Sequence, residues 1–579
     1  MEPWLCNHMQ PSVTADGDVQ IEIERDGDFY RLRLHNRSGK DVTVKEVVYC
    51  GGDWQDAQRL HFYGEGYTML SQYEGTPDTP QAISYSDAVH YRLPQEQGLF
   101  TVYNLLLLHD GKRYLLLAFS SCHRFSGEFR LNAKQVKAVL NCENLTMAPG
   151  ESWLLEEFMM LQGKDKNALL EQLAERLAHN HGVKMPPEQP TGWCSWYCFG
   201  PKVTKDNILE NTEAVQRELP ELSYIQIDDG YQAFMGDWLE VNEQFKPNVQ
   251  TLCQMIREKG GHPAIWVAPF IAEQDSGLLR EHPEWFVQRE DGSGPLRSDE
   301  VTFGGWRHGP WYMLDGTHPG TRDYLTKVFR TMRQEWGCSY FKLDANTWGA
   351  FPFGRRFDSS KTSVEAYRMG MQAIREGAGE DGFLLGCNAP MWPSIGTVDG
   401  MRVTDDIKRS WDRVRSLAKQ QFYRNWQHGR LWVSDPDCAV LENIDIQVVG
   451  PDGKINRQGS TILSPEEFSF HAAVLLASGG MILSGDDVTE LREETKKRLK
   501  KLVQHTGEAA AFGDETFTYA RTGDRLLFLF NAEDAPQTVR VQLEKPFHLH
   551  DFWTEEPLGK SEMVQEELPP HSARVIALS

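Results

Sequence analysis

A lysine and an aspartate stand two residues apart at the end of a short apolar run, Tyr340-Phe341-Lys342-Leu343-Asp344. Side chains alternate along a strand, so Lys342 and Asp344 point the same way. An ammonium beside a carboxylate favours its ionised form, which a nucleophile needs at neutral pH; the competing reading is a buried salt bridge that closes the strand. A second group, Arg402-Val403-Thr404-Asp405-Asp406, follows another apolar stretch. Adjacent carboxylates resist ionising together, so one of the two can keep a proton and act as an acid, with Asp406 the better candidate. Arg402 pulls against that shift, and capping the next helix is an open alternative for one of the pair. Asp228-Asp229 offers diverging acceptors for two neighbouring sugar hydroxyls, or merely a turn at Asp-Asp-Gly-Tyr. Trp266 and Trp196 offer flat apolar walls for a sugar face, or rim packing. Two carboxyl groups flanking a bond are what glycoside hydrolysis requires, and Asp344 is the better nucleophile within that chemistry. Cys387 reads as a small wall residue, because no histidine is placed to activate its thiol.

These residues act together only if one scaffold presents them. After Thr191 the pattern is strand, polar residue, helix, repeated. Eight candidate strands run Gly192 to Trp196, Tyr224 to Ile227, Pro263 to Ala268, Tyr340 to Leu343, Phe383 to Gly386, Gly400 to Val403, Arg430 to Val433 and Gly480 to Leu483. Helical patterns separate them, the main ones being Asn207 to Arg217, Asn248 to Lys259, Thr321 to Trp336, Ser363 to Gly377, Arg409 to Gln427 and Pro465 to Ser478, with Glu490 to His505 last. This alternation predicts a (β/α)8 TIM barrel, whose chemistry sits at the C-terminal strand ends. There the strands would deliver Trp196-Tyr197, Asp228-Asp229, Trp266, Lys342 with Asp344, Cys387-Asn388, Arg402 with Asp405-Asp406, and Asp435 with Asp437. The fifth unit is the weakest, with only Met391 to Ile395 leading to the sixth strand. The stretch Ile271 to His318 is too long for an ordinary connection, and its Gly, Pro and aromatic content predicts a structured loop over the active face, against a stabilising excursion that touches no substrate.

Before the barrel, strand alternation at Val19 to Leu34, Val42 to Val48, Leu99 to Leu108, Tyr114 to Phe119 and Trp153 to Met159 predicts an antiparallel β-sandwich. Leu169, Leu170, Leu173 and Leu177 then recur at helical spacing until Pro186-Pro187 and Pro190. From Thr516 the chain returns to strands at Tyr519, Leu526 to Phe530, Val539 to Val541 and Val575 to Leu578. The expected organisation is therefore multidomain, α/β and all-β: an N-terminal β-domain at 1–164, a connecting helix and linker at 165–190, the catalytic barrel at 191–510, and an antiparallel β-domain at 511–579.

A net charge of −23, from 60 basic and 83 acidic residues, makes nucleic acid and anionic membrane poor partners. The 17 tryptophans suit stacking on sugars as well as core packing. Ten cysteines without CxxC spacing indicate neither a zinc site nor a disulfide framework. The start, Met1-Glu2-Pro3-Trp4-Leu5-Cys6, has no basic and apolar leader, and no long uncharged apolar run follows. The expectation is a soluble, reduced, cytoplasmic protein, in which the sequons at Asn36 and Asn144 are chance matches.

At these motifs the chain resembles the α-galactosidases of glycoside hydrolase family 36, whose clan includes the family 27 α-galactosidases and the family 31 α-glucosidases. The resemblance rests on Gly192-Trp193-Cys194-Ser195-Trp196-Tyr197, Ile227-Asp228-Asp229-Gly230-Tyr231, Ile265-Trp266-Val267-Ala268-Pro269-Phe270, Phe341-Lys342-Leu343-Asp344, Gly386-Cys387-Asn388-Ala389-Pro390, Gly400 to Asp406 and Asp435-Pro436-Asp437-Cys438, in the family's order. It implies an N-terminal β-supersandwich and a retaining mechanism with Asp344 as nucleophile and Asp406 as acid/base. It also implies that Asp228 and Asp229 bind the 4- and 6-hydroxyls of galactose, while Lys342, Arg402, Trp196, Tyr197, Trp266 and Cys387 line the same subsite. No metal or organic cofactor is implied. The family's tryptophan-bearing N-terminal loop is replaced by Tyr63-Gly64-Glu65-Gly66-Tyr67-Thr68-Met69-Leu70-Ser71, with Tyr67 as the aromatic that could stand in. The expected activity is exo-hydrolysis of terminal α-linked galactose from oligosaccharides of the melibiose or raffinose type. Its rivals are α-N-acetylgalactosaminide cleavage, galactosyl transfer, and sugar binding without turnover.

Overall fold

The computed structural model describes residues 10–54, 57–443 and 463–579, with the backbone of Gln447–Val449 and Ile455–Arg457; Met1 to Cys6 lie outside the described residues. Eight short strands form its centre: β1 (Thr191–Cys194), β2 (Tyr224–Ile227), β3 (His262–Val267), β4 (Tyr340–Leu343), β5 (Phe383–Gly386), β6 (Gly400–Arg402), β7 (Val433–Asp435) and β8 (Ile482–Ser484). They pair in parallel in the order β7-β6-β5-β4-β3-β2-β1-β8, and the Met481 N–H donates to the Ser434 C=O at 2.9 Å across the remaining seam. The result is the nearly closed barrel that the strand–helix alternation predicts. Ile225, Ile265, Phe341, Leu384 and Met401 are fully buried. Parallel strands covered on both faces read as apolar runs, which is why these were visible in the sequence.

The surrounding helices include Lys205–Glu218, Val249–Glu258, Pro319–Gln334, Ser363–Ala378, Trp411–Arg424, Pro465–Ser478 and Glu493–His505. Thr204, Thr362 and Ser464 start three of them as capping boxes with Asn207, Glu365 and Glu467, so side chains satisfy amides that helix geometry leaves free. The fifth unit is one turn, Met391–Ser394, as its sequence foretells. Three strands differ from expectation, β8 by beginning at Ile482 rather than Gly480. β1 stops at Cys194, because Trp196–Phe199 already turns as a helix. β7 begins at Val433 rather than Arg430, after the turn at Asn425–Gln427 and Gly429; its Ser434 and Asp435 pair with Met401 and Arg402, and such polar ladder residues break the apolar pattern.

The N-terminal part packs a five-stranded against a nine-stranded antiparallel sheet. The expected strand Leu99 to Leu108 divides into Phe100–Tyr103 and Leu105–His109, which belong to different sheets. Asn104, at φ 60°, makes the switch; its Oδ1 accepts the Gly127 N–H and its C=O accepts the Phe119 N–H, each at 2.9 Å. Trp153 to Met159 likewise divides around Glu156-Glu157. Burial works against the charge of Glu157, but hydrogen bonds from Arg176, Asn180 and Ser120 bring its carboxyl down to about 2. Arg176 lies on the connecting helix Lys166–His181, so this pair ties helix to sandwich.

The sandwich is also locked to the barrel. Met69 N–H donates to Ala389 C=O at 2.8 Å, and Met391 N–H to Tyr67 C=O at 3.0 Å. Beneath them Glu65 and Arg424 form a fully buried ion pair at 2.6 Å, with Arg424 also donating to the carbonyls of Met69 and Val403. The C-terminal part is a six-stranded antiparallel sheet around Leu527, Val541 and Ile576. Its strand Pro557–Leu568 was not expected, because it is mostly exposed and carries little apolar alternation. Among the described residues no helix is long and apolar enough to cross a membrane.

Candidate active site

The C-terminal ends of the strands open onto a cavity of about 240 Å³ lined by Asp228, Asp229, Lys342, Asp344, Asn388, Asp405 and Asp406, with Trp196 and Trp266 among its aromatic walls. At the end of β4 the carboxylate of Asp344 is held by three N–H donors. Oδ1 accepts from the Ala345 amide and from Asn388 Nδ2, both at 2.7 Å, and Oδ2 accepts from Trp266 Nε1 at 2.9 Å. A carboxylate offers about four lone-pair sites. One therefore stays open, on Oδ2. Ala345 (φ 53°) and Asn388 (φ 41°) adopt left-handed backbone to bring these donors in, a conformation that costs about 1 kcal/mol or more for a residue with a Cβ.

Lys342 does not bond Asp344, as the strand spacing suggested; its Nζ pairs with Asp228 Oδ2 at 3.0 Å. Burial pushes the ammonium down, but the Asp228 carboxylate outweighs it and holds Lys342 above the usual lysine range. Burial also lifts the Asp344 carboxyl above its ordinary value, while Lys342, Asn388 and Trp266 pull it back. The simple picture of an ammonium holding Asp344 ionised is thereby corrected: desolvation is the larger effect and Lys342 acts through space.

Asp228 and Asp229 diverge as expected, yet both are largely engaged. Asp228 Oδ2 accepts from Gln226 Nε2 (2.6 Å) and Lys342, and Oδ1 from the Asp229 amide (2.9 Å). Asp229 accepts from Gln232 Nε2 (2.7 Å) and, through both oxygens, from Arg307. Each keeps an acceptor position for a ligand hydroxyl, on Asp228 Oδ1 and Asp229 Oδ2. Arg307 comes from the long β3–β4 excursion, which also puts Phe303 and Trp306 on the cavity wall. The excursion does cover the active face; the Phe303-x-x-Trp306-Arg307 cluster in an overlong connection was the available signal for its individual residues.

At the end of β6, Arg402 Nη2 bonds Asp406 Oδ1 at 2.8 Å and Asp437 Oδ2 at 2.6 Å. Asp406 is the open member, its side chain 55% exposed. Asp405 borders the cavity but is engaged, taking Arg413 and Ser84 Oγ on Oδ2, while its Oδ1 accepts the Asp406 amide at 2.7 Å. Neither aspartate caps the following helix, which starts at Trp411 after Ser410. Arg402, Tyr197 and Cys387 stand one layer behind the cavity wall: Tyr197 donates to Asp437, and Cys387 lies against Arg402 at 3.9 Å with its thiol pushed up by burial. Cys387 therefore has no thiolate to offer.

The N-terminal aromatic is not Tyr67, which is buried and donates its hydroxyl to the Ala350 carbonyl. Leu70, Tyr85, His90 and Tyr91 line the cavity instead. Leu70 belongs to the stretch that replaces the family's loop, whereas Tyr85, His90 and Tyr91 fall in a region without regular alternation, which sequence patterning passed over. Among the described residues no group of three or more His, Cys, Asp or Glu is arranged to hold a metal ion.

Residues 224–378 match the Melibiase family model. The bifunctional alpha-galactosidase/sucrose kinase AgaSK of Mediterraneibacter gnavus is 24% identical over 371 residues, 58% of this chain and 37% of that protein. The chain spans less than two thirds of the length of the curated relatives it matches. Among solved structures, the alpha-galactosidase TtGalA of Thermus thermophilus, in complex with p-nitrophenyl alpha-D-galactopyranoside, superposes with TM-score 0.65 at 23% identity, covering 88% of this chain and 98% of that one. The GH36 alpha-galactosidase AgaA of Geobacillus stearothermophilus, a variant in complex with raffinose, gives 0.67 at 14% identity, covering 97% and 81%.

Proposed function

We propose that this chain, with its Melibiase domain, is a retaining exo-α-galactosidase that removes terminal α-linked galactose from oligosaccharides. The observation that carries the reading is the Asp344 carboxylate, fixed by three donors with a single free lone pair on Oδ2 and sharing its cavity with the exposed carboxyl of Asp406. Asp344 Oδ2 attacks the anomeric carbon while Asp406 gives its proton to the departing glycosidic oxygen, leaving a glycosyl-aspartate ester. Asp406, now a carboxylate, takes a proton from water, which attacks the same carbon and releases Asp344. Asp228, Asp229 and Lys342 hold the sugar hydroxyls, Trp266 and Trp196 supply its walls, and Arg402, Tyr197 and Cys387 support the subsite from behind.

The same reading takes 1–164, 165–190, 191–510 and 511–579 as the working units, and places the protein in the cytoplasm. The test is hydrolysis of p-nitrophenyl α-galactoside, with the anomer released first identified by proton NMR. Release of the α-anomer, abolished in D344A, is expected. First release of the β-anomer, or no turnover of any α-galactoside, defeats the proposal.

A further inference from the structure

Asp437 follows β7 and has no place in the sugar subsite, yet it is more heavily bonded than either carboxylate assigned to the reaction. Its Oδ2 receives the Tyr197 hydroxyl, the Ile407 amide at 2.6 Å and Arg402 Nη2 at 2.6 Å, and its Oδ1 receives the Cys438 amide at 2.7 Å. It is 3% exposed and sits at φ 74°. Two of these bonds lead straight to Asp406. Ile407 is the next residue along the chain, and Arg402 Nη2 is the nitrogen that also bonds Asp406 Oδ1 at 2.8 Å. A single nitrogen, with two hydrogens, thus spans two carboxylates.

We propose that Asp437 is a positioning residue for the acid/base Asp406: by sharing Arg402 it limits how far that guanidinium neutralises Asp406, and so leaves Asp406 able to carry the proton that the leaving group needs. The proposal rests on the reading of Asp406 as the acid/base. An unshared arginine would favour the Asp406 carboxylate over its protonated form; two carboxylates competing for one positive charge leave a negative surplus that works the other way. Among the other groups in the field, Asp435 and Asp344 work in this direction and Lys342 works against it. Asp435 on β7 and Lys342 on β4 face Asp437, Tyr197 and Cys438 are neutral neighbours, and Asp344 faces Asp406 from β4. Burial pushes the Asp437 carboxyl up to about 6, against the pull of Arg402, with Asp406 and Asp435 adding to the rise.

The test is D437N, a substitution suited to left-handed backbone because asparagine tolerates it well. Removing the charge gives Arg402 wholly to Asp406. The basic limb of kcat/KM should fall by about one pH unit. At pH 7 an alkyl α-galactoside should lose about 10-fold or more, whereas a dinitrophenyl α-galactoside, whose leaving group departs without a proton, should lose much less. An unmoved basic limb, or an equal loss on both substrates at every pH, overturns the proposal. Carboxyl ¹³C NMR of the wild-type protein with labelled aspartate, and Asp406 assigned by D406N, needs neither a folded D437N nor α-galactosidase activity. A biphasic titration of Asp406 that mirrors a second carboxyl supports it; a single step like that of an isolated aspartate overturns it. Absence of turnover in the wild type would instead defeat the α-galactosidase reading and leave this titration to be judged alone.

Discussion

The ends of β4 and β6 carry the two proposed reacting carboxyls in opposite settings. Asp344 is 8% exposed and accepts three hydrogen bonds from rigid donors, two of them on strained backbone. Asp406 has a side chain 55% exposed that is held by the Arg402 guanidinium, and its main chain is anchored by Asp405 before it and Asp437 after it. The division suits two tasks. A nucleophile must present one lone pair in one place, and every extra freedom costs rate. An acid/base must reload its proton from water and serve two half-reactions, so access matters as much as aim.

The largest effects should come from removing each carboxyl. D344A should lower kcat/KM for p-nitrophenyl α-galactoside by about 10⁴-fold or more. D406N should cost about 10² to 10⁴-fold on alkyl α-galactosides but far less on dinitrophenyl ones, which need no acid. Equal sensitivity to leaving group in both variants would break the contrast. A smaller and sharper test lengthens each side chain by one methylene. D344E should lose about 100-fold, since the reacting oxygen moves by about 1 Å in a closed cradle, while D406E, in open space, should lose about 10-fold.

W266F comes next. It removes the Oδ2 donor, which lowers the Asp344 pKa, so the acidic limb of kcat/KM should move to higher pH with a loss of about 10-fold. Stability carries a further sign. The folded Asp344 pKa lies above its ordinary value of 3.8, so the native state binds the proton more readily and stability falls as pH rises through that window. D344N should therefore melt higher than the wild type at pH 7, with the gap closing below pH 3.8. The smallest effect is A345G, which relieves the left-handed strain at φ 53° and should stabilise by up to about 1 kcal/mol in chemical denaturation.

The fold was readable because its barrel strands are buried on both faces and its helices carry apolar residues at helical spacing. The strand-end aspartates were readable for the same reason, each following an apolar run. Partner choice was not. Alternation puts Lys342 and Asp344 on one side, but whether Lys342 meets Asp344 or Asp228 depends on the neighbouring strand. Arg307 lies 78 residues from Asp229, within an excursion whose path no local rule dictates. The N-terminal wall was misplaced for a related reason: Tyr67 looked available, and the fold used its hydroxyl to bind Ala350.

Glu65 and Arg424 lie 359 residues apart and yet form a pair with no exposure on either side. A buried ion pair that loses one member leaves a stranded charge, at a cost of about 3 to 5 kcal/mol. The first β-domain and the barrel are thus poor modules for exchange. A recombination that imports either half from a relative must bring both residues or neither, so the two halves of this chain are expected to be inherited as one block rather than as interchangeable parts.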